Sequence, residues 1–299
     1  MRHIILLIAV MAMVGCGKKT TPSESEANTE PNAAADKQRS PKPESKLAAK
    51  IPANAFVNTL GMPFVPVPGT DVQFCIWETR VKDYAAYAAA NAGVNAGVNA
   101  GVNAGVNAGV NAGVNAGVNA SWKIPGFTQG DTHPVVNVTW EDANAFCAWL
   151  TKKEMAEGKI KAGQKYRLPT DAEWSVAVGL GKEKGNTPKE KNRGIKDVYP
   201  WGKEWPPPVG AGNYVALDKF DYTSPVGSFA ANKLDLHDMG GNVWEWCEDW
   251  YDPAVKADRV LRGASWGFDI PDALLSSGRL GTPVSRINYF GFRCVLANE

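Results

Sequence analysis

The sequence has little net charge, little histidine and no aromatic side chain before Phe56. Its 32 Lys and Arg balance 31 Asp and Glu, for a formal net charge of +1. Without a basic field there is nothing to attract a phosphate backbone, so nucleic acid is not an expected partner. Of three histidines, one is His3 in the leading segment, leaving His133 and His237. Two histidines cannot build a three-histidine iron site, and both read as solvated or hydrogen-bonded. The uncharged run Ile4 to Val14 is too short for a permanent spanning helix, which needs about 20 residues. What is present is a chain of 299 residues, 44% hydrophobic and 21% charged. That composition supports a sizeable core and excludes wholesale disorder.

The N-terminus reads as an address. Met1-Arg2-His3 is a short basic start, the apolar run follows, and Gly15 precedes Cys16. This pattern resembles a bacterial lipoprotein signal, which implies cleavage before Cys16 and lipid on that cysteine. Residues 1–15 are then signal peptide, and the lipid attaches the chain to a membrane. Gly17, rather than Asp, follows the cysteine, which by the same resemblance points to the outer membrane of a two-membrane cell. The expected location is the cell envelope after export, an oxidising compartment. Residues 16–54 mix Lys, Glu, Ser, Thr, Pro, Ala and Asn and can bury no core, so they read as a flexible tether.

Residues 91–120 hold seven perfect Asn-Ala-Gly-Val copies plus Asn119-Ala120. In a helix a four-residue period rotates by about 40° per copy, so no apolar face persists. One Gly per copy also costs about 1 kcal/mol against Ala in a helix interior. The segment reads as an expanded surface loop inside one domain spanning 55–299. Within that domain, Val81, Tyr84, Ala85 and Ala88 have helical spacing. Thr139-Trp140-Glu141-Asp142 forms a capping box ahead of Ala143, Phe146, Cys147 and Leu150. A second box, Thr170 to Glu173, opens a helix through Trp174 and Ala177. Gly, Pro, Asn and Asp punctuate the rest, which predicts loops and short strands held by aromatic packing.

Six strings occur in order. They are Asn137-Val138-Thr139-Trp140-Glu141-Asp142-Ala143, Tyr166-Arg167-Leu168-Pro169-Thr170-Asp171-Ala172-Glu173-Trp174, and Tyr199-Pro200-Trp201-Gly202. Then come Asp238-Met239-Gly240-Gly241-Asn242-Val243-Trp244-Glu245-Trp246, Arg262-Gly263-Ala264-Ser265-Trp266, and Gly291-Phe292-Arg293-Cys294. Together, over about 60–297, they resemble the formylglycine-generating enzyme family, also called sulfatase-modifying factor. The resemblance implies an α+β fold, an irregular variant of the C-type lectin fold with few helices and small antiparallel sheets. It also implies an oxidase whose two cysteines, shortly after a Gly-Gly-Ser-aromatic string, hold copper. Soft thiolates suit Cu(I). Here that string is Gly263-Ala264-Ser265-Trp266, and the cysteine positions fall near Phe268 and Ala273. No cysteine stands between Cys247 and Cys294. Neither copper nor iron is expected, and no catalytic residue is assigned.

The remaining expectations also come from the resemblance. Two structural calcium sites are implied, from oxygen donors as hard cations require. One would use Asn213, the Tyr214 carbonyl, Asp218 and the Phe220 carbonyl. The other would use Asp238, Gly241, Val243 and Glu245. Cys147 and Cys294 occupy the positions of a disulfide closing a loop of nearly 150 residues, worth about 4–5 kcal/mol in the chain-entropy account. Cys75 and Cys247 would be left over. The family's substrate face corresponds to the stretch after Ser265, which offers Trp266, Phe268, Asp269, Asp272, Arg279, Arg286, Asn288 and Tyr289. Aromatics with Arg and carboxylates suit a peptide, protein or glycan ligand. The acidic run Glu245, Glu248, Asp249 and Asp252 reads as one calcium ligand plus solvated acids rather than a glycosidase pair. In a strand it would place Glu245 and Asp249 on one face. The sequence thus points to a lipid-anchored binding or scaffold domain. The alternatives are an authentic formylglycine-generating oxidase or a non-haem iron enzyme.

Overall fold

A computed structural model describes residues 50–91, 121–215 and 218–298. The proposed leader, residues 16–49 of the tether and nearly all of the repeat lie outside these residues. Both capping boxes form. Thr139 caps α2 (Trp140–Ala156), with the Asp142 amide donating to Thr139 Oγ1 at 3.1 Å and Asp142 Oδ2 accepting from the Thr139 amide at 2.8 Å. Thr170 and Glu173 do the same for α3 (Asp171–Ala177). The apolar face of α2, Ala143, Phe146, Cys147 and Leu150, is buried as its spacing requires. α1 (Val81–Ala90) buries Tyr84, Tyr87 and Ala88 against it. Tyr84 stacks on Phe146 with ring centres 6.0 Å apart, and Phe292 meets Phe146 edge-on at 5.5 Å.

Five short strands make the first sheet: β1 (Phe56–Val57), β2 (Pro63–Pro66), β3 (Val72–Cys75), β4 (Gln164–Arg167) and β9 (Val295–Asn298). Their order is β1-β2-β3-β9-β4, all antiparallel. β9 therefore lies between β3 and β4, and Val295, Leu296 and Ala297 are all buried there. The second sheet, ordered β7-β6-β5-β8, contains β5 (Trp244–Trp250), β6 (Arg259–Arg262), β7 (Leu280–Thr282) and β8 (Phe290–Gly291). The β5–β8 pair is parallel, against the expectation of purely antiparallel sheets. The chain between β5 and β8, residues 251–289, carries β6 and β7 and is long enough for the crossover a parallel pair requires, which a hairpin turn cannot supply. Short helices α4 (Pro188–Lys191) and α5 (Pro271–Leu274) lie in the loops. The mix of small sheets and few helices is the α+β architecture expected.

Trp244, Glu245, Trp246 and Cys247 are all buried, so both faces of the first half of β5 are covered. β5 sits between β6 and β8 with structure over both faces, and the register shifts between Trp246 and Trp250. Burying Glu245 requires a partner, and the Arg293 guanidinium supplies it from just ahead of β9. Arg293 Nε donates to Glu245 Oε2 at 2.8 Å and Nη2 to Oε1 at 2.6 Å. A second buried network joins α3 to β6 and the start of β7. Asp171 accepts from both Arg262 and Arg279, and Glu183 accepts from Arg279.

Candidate functional site

The string after β6 turns sharply. Gly263 has φ 93° and Ala264 φ 64°, a left-handed conformation that costs a residue with a Cβ about 1–2 kcal/mol. The turn is held against the 238–242 loop: the Gly241 amide donates to the Gly263 carbonyl at 2.9 Å, and the Trp266 amide to the Asn242 carbonyl at 3.0 Å. Gly241, at φ 81°, is needed here, because a Cβ would stand 2.4 Å from the Asn213 carbonyl oxygen. Asn242 is fully buried and pins three loops together. Its amide donates to the Asn213 carbonyl, and its Oδ1 accepts from the Ser224 amide at 3.0 Å and from Asn213 Nδ2 at 3.3 Å.

These pinned loops build an aromatic wall. Phe127 and Tyr222 stack with centres 4.5 Å apart and planes within 6°. Trp266 meets both edge-on, at 5.8 and 5.0 Å, and Tyr289 at 6.3 Å. Phe268 continues the wall, 5.9 Å from Tyr289 and 5.6 Å from Trp244. Tyr222 is 43% exposed, while Phe127, Trp266, Phe268 and Tyr289 are half-buried. Buried polar atoms around the wall have no partner in the protein: Trp266 Nε1, Trp244 Nε1, Ser265 Oγ, Ser285 Oγ and Asn288 Oδ1. Such atoms are hydrogen-bonding capacity that a ligand or ordered water can take up.

The structure thus brings together Trp266, Phe268 and Tyr289 from the face singled out in sequence. Asn288 stands beside them, donating to the Pro125 carbonyl at 3.1 Å, and Asp269 is exposed next to Phe268. Arg279 does not belong to this face. It is 3% exposed and donates to Asp171 at 2.8 and 2.9 Å and to Glu183 at 2.8 and 2.7 Å. Two carboxylates arriving from the α3 side draw it inward and leave it nothing to offer a ligand. Arg286 turns toward α2, pairing with Asp142 and donating to the Asn137 carbonyl at 3.0 Å. Asp272 is exposed and pairs with Lys196 at 3.5 Å. Phe127 and Tyr222 were not singled out in sequence. They come from distant segments, and no spacing signals their convergence.

The copper requirement finds no fit. The ring of Phe268 packs on Trp244 and Tyr289, and Ala273 lies in α5; neither offers a soft donor. His133 Nδ1 is 3.0 Å from Thr223 Oγ1, and His237 Nδ1 is 2.8 Å from the Phe229 carbonyl, so both histidines are hydrogen-bonded. The acids of β5 do not make a glycosidase pair either. Glu245 is bound by Arg293 and by Trp174 Nε1 at 2.9 Å, while Asp249 Oδ2 accepts from the Asp171 amide at 2.6 Å. Burial pushes the Glu248 and Asp249 carboxyls upward. Glu248 also lines a groove of about 610 Å³ between α2 and β4, which holds none of the aromatic wall.

For calcium, the two implied donor sets differ. Asn213, Tyr214, Asp218 and Phe220 share one turn; Asp218 accepts from the Tyr214 and Phe220 amides, and Asn213 Oδ1 is buried without a partner. In the second set Asp238 Oδ1 is likewise without a partner. Gly241 and Val243 are buried beside it, but the Glu245 carboxylate is filled by Arg293 and Trp174. Cys147 and Cys294 are the expected neighbours, with sulfurs 3.5 Å apart as thiols. Cys75 and Cys247 are buried thiols as well.

The family described as Sulfatase-modifying factor enzyme 1-like domain (FGE-sulfatase) matches residues 64–298. The Inactive C-alpha-formylglycine-generating enzyme 2 of Mus musculus is 38% identical over 175 residues, 54% of this chain and 48% of that protein. The Formylglycine-generating enzyme of Thermomonospora curvata is 31% identical over 210 residues, 58% of this chain and 60% of that protein. The chain thus spans about half the length of these relatives. Among solved structures, PvdO from Pseudomonas aeruginosa superimposes with a TM-score of 0.57 at 22% identity, covering 83% of this chain and 100% of that one, a likeness of fold. The ordered strings, the small sheets and the match over 64–298 lead to one conclusion: the chain belongs to the sulfatase-modifying factor (FGE-sulfatase) domain family.

Proposed function

We propose that this protein is a family member without the copper oxidase, which captures a peptide, protein segment or glycan at the aromatic wall. The observation that carries this reading is the pair Phe268 and Ala273, where oxygen activation by the family's oxidase would need thiolates. A half-exposed aromatic wall and unpartnered polar atoms at the same loops support recognition there. Similarity to a relative named as inactive agrees with it. The lipoprotein-like start fits display of the domain in the cell envelope on a lipid at Cys16, with residues 17–54 as the tether. Asn213, Asp218 and their two carbonyl neighbours fit a structural calcium ion, because the donors are all hard oxygens.

The test uses the full chain. After copper loading, incubation with a cysteine-containing sulfatase peptide should leave the peptide mass unchanged. Conversion of the thiol to the aldehyde mass would establish an oxidase and end this proposal. In parallel, Trp266→Ala should weaken the best binder from peptide and glycan arrays at least about tenfold, since truncating an anchoring aromatic removes 2 kcal/mol or so. Unchanged binding by that variant places recognition elsewhere.

A further inference from the structure

The two ends of α2 hold unlike parts of the domain. At its start the segment leading to the aromatic wall is tied on. The Asn137 amide donates to the Ile287 carbonyl at 3.1 Å, and Arg286 donates to the Asn137 carbonyl at 3.0 Å and pairs with Asp142. Tyr289 of the wall follows three residues later. At the other end the beginning of the domain is tied on. The Thr59 amide and hydroxyl both donate to Glu154 Oε1 at 2.7 Å, and Lys153 Nζ donates to Thr59 Oγ1 at 3.0 Å. Lys159 Nζ stands 5.3 Å over the Phe56 ring. At 1.5 Å per residue the 17 residues of α2 separate these two ends by about 25 Å. The chain therefore enters the domain, just ahead of Phe56, at the end of α2 remote from the wall.

That entry end is basic. From Lys152 to Arg167 the sequence holds five lysines and one arginine against two glutamates. Glu154 is 0% exposed and turned inward, accepting from Thr59 and from the Tyr166 hydroxyl, and Glu157 is paired with Lys153 at 2.7 Å. Lys152, Lys159 and Lys161 are exposed, and among the described residues none of the three is in an ion pair. Met155 and Ile51 add exposed apolar side chains at the same end. Ammonium groups with a few apolar tips suit an anionic lipid surface, where the charges meet headgroups and the tips reach between them. We infer that the entry end of the domain rests on an anionic lipid leaflet, so that α2 carries the aromatic wall outward. The inference rests on the reading of Cys16 as a lipid anchor. Residues 16–49, as a flexible chain, have an r.m.s. span of about 30 Å, which keeps the domain close to the leaflet. Three lysines near such a surface favour the entry end facing it by about a hundredfold. That is enough to orient a tethered domain, for which the surface is always at hand. The wall then stands about 25 Å further out, clear of the headgroups.

The test uses residues 16–299 coupled through Cys16 to a maleimide lipid; the four cysteines of the domain are buried and stay out of the coupling. The coupled protein is placed on vesicles of phosphatidylcholine alone or mixed with phosphatidylglycerol. Lysines are acylated with a water-soluble reagent and followed by peptide mass spectrometry. Lys152, Lys159 and Lys161 should react at least about fivefold more slowly on the anionic vesicles than on the neutral ones. Lys123, exposed on the wall side over Trp122, should react equally on both. High salt should abolish the difference, since the screening length falls to about 3 Å at 1 M. The double variant Lys152→Glu, Lys161→Glu should return Lys159 to its neutral-vesicle rate, and its Tm should stay within about 2 °C of the parent because both sites are exposed. Equal rates at the three lysines on both vesicles, protection of Lys123 instead, or protection that survives high salt would each overturn the inference. The maleimide lipid supplies the attachment whatever the cell does, so such a result leaves the anchor reading standing. Conversely, an unmodified Cys16 thiol in chain isolated from the exporting cell ends the anchor reading, and with it this orientation in the cell.

Discussion

Asp171 opens α3 with its carboxylate at the centre of a buried network. Oδ1 accepts from Arg262 Nη1 at 2.6 Å and Arg279 Nε at 2.8 Å, and Oδ2 accepts from Arg279 Nη2 at 2.9 Å. Glu183 supplies the second negative charge, accepting from Arg279 at 2.8 and 2.7 Å. Both guanidinium groups have no side-chain exposure, so two positive charges are balanced by two negative ones away from water. Asp171→Asn keeps the outline and leaves one positive charge uncompensated. Breaking a buried pair this way costs about 3–5 kcal/mol. At roughly 2–4 °C per kcal/mol for a domain of this size, Tm should fall by about 6–20 °C. Glu183→Gln, at the edge of the network, should cost about 1–3 kcal/mol. Tryptophan fluorescence during thermal and urea unfolding is a suitable readout, since Arg262 lies 4.3 Å over Trp174. The pH dependence adds a second constraint. Burial raises the Asp171 carboxyl, but Arg262 and Arg279 outweigh it and the pKa is lowered; Arg279 and Ser175 do the same for Glu183. Stability from these two groups is therefore present above the ordinary carboxylate range and lost as pH falls through their lowered folded-state values. The parent should weaken below about pH 4, and Asp171→Asn should lose less on acidification. An Asp171→Asn variant within about 1 kcal/mol of the parent, with the same acid limb, would refute this account of the network.

Other substitutions probe separate features. Ala264→Gly should raise stability by about 0.5–1 kcal/mol in denaturant titrations, because glycine accepts the left-handed turn without strain; a loss would mean the Ala264 methyl packs more than the turn costs. In oxidising buffer, a non-reducing peptide map should join Cys147 to Cys294, whose sulfurs are neighbours, and recovery of both as free thiols would refute the bridge. Arg259→Lys should cost about 1–2 kcal/mol and shift tryptophan emission, because the planar guanidinium lies between Trp140 and Trp250 at 3.6 and 3.4 Å and an ammonium cannot stack on both. Unchanged emission and stability would show that the stack contributes nothing.

What the sequence revealed was local. Thr139 and Thr170 mark their helices because a cap, a carboxylate three residues later and an apolar face all lie within a few turns. The ordered strings located the family because they keep their order regardless of how the chain folds between them. The wall at Trp266, Phe268 and Tyr289 was legible for the same reason. Phe127 and Tyr222 were not, since long-range bonds bring those loops to the wall, among them Asn213 Nδ2 to the Tyr222 carbonyl, Gln129 Nε2 to Thr223 Oγ1 and Asn288 to the Pro125 carbonyl. Arg279 was misplaced because its charge suggested a surface, while its partners, Asp171 and Glu183, stand 108 and 96 residues away in the chain. Glu78, 0% exposed with neither carboxylate oxygen hydrogen-bonded, gave no sequence signal, since an isolated acid beside Trp77 becomes unusual only once its surroundings are closed.

The placement of β9 bears on how the domain is made. It is the strand that β3 and β4 share, and the Arg293 that balances Glu245 directly precedes it. A growing chain that has not yet released Val295 has two strand edges with no common neighbour and a buried acid with no counter-charge. Assembly of the first sheet must therefore wait for nearly the whole domain to be synthesised, and truncations that stop short of β9 should accumulate as protease-sensitive chains rather than smaller stable domains.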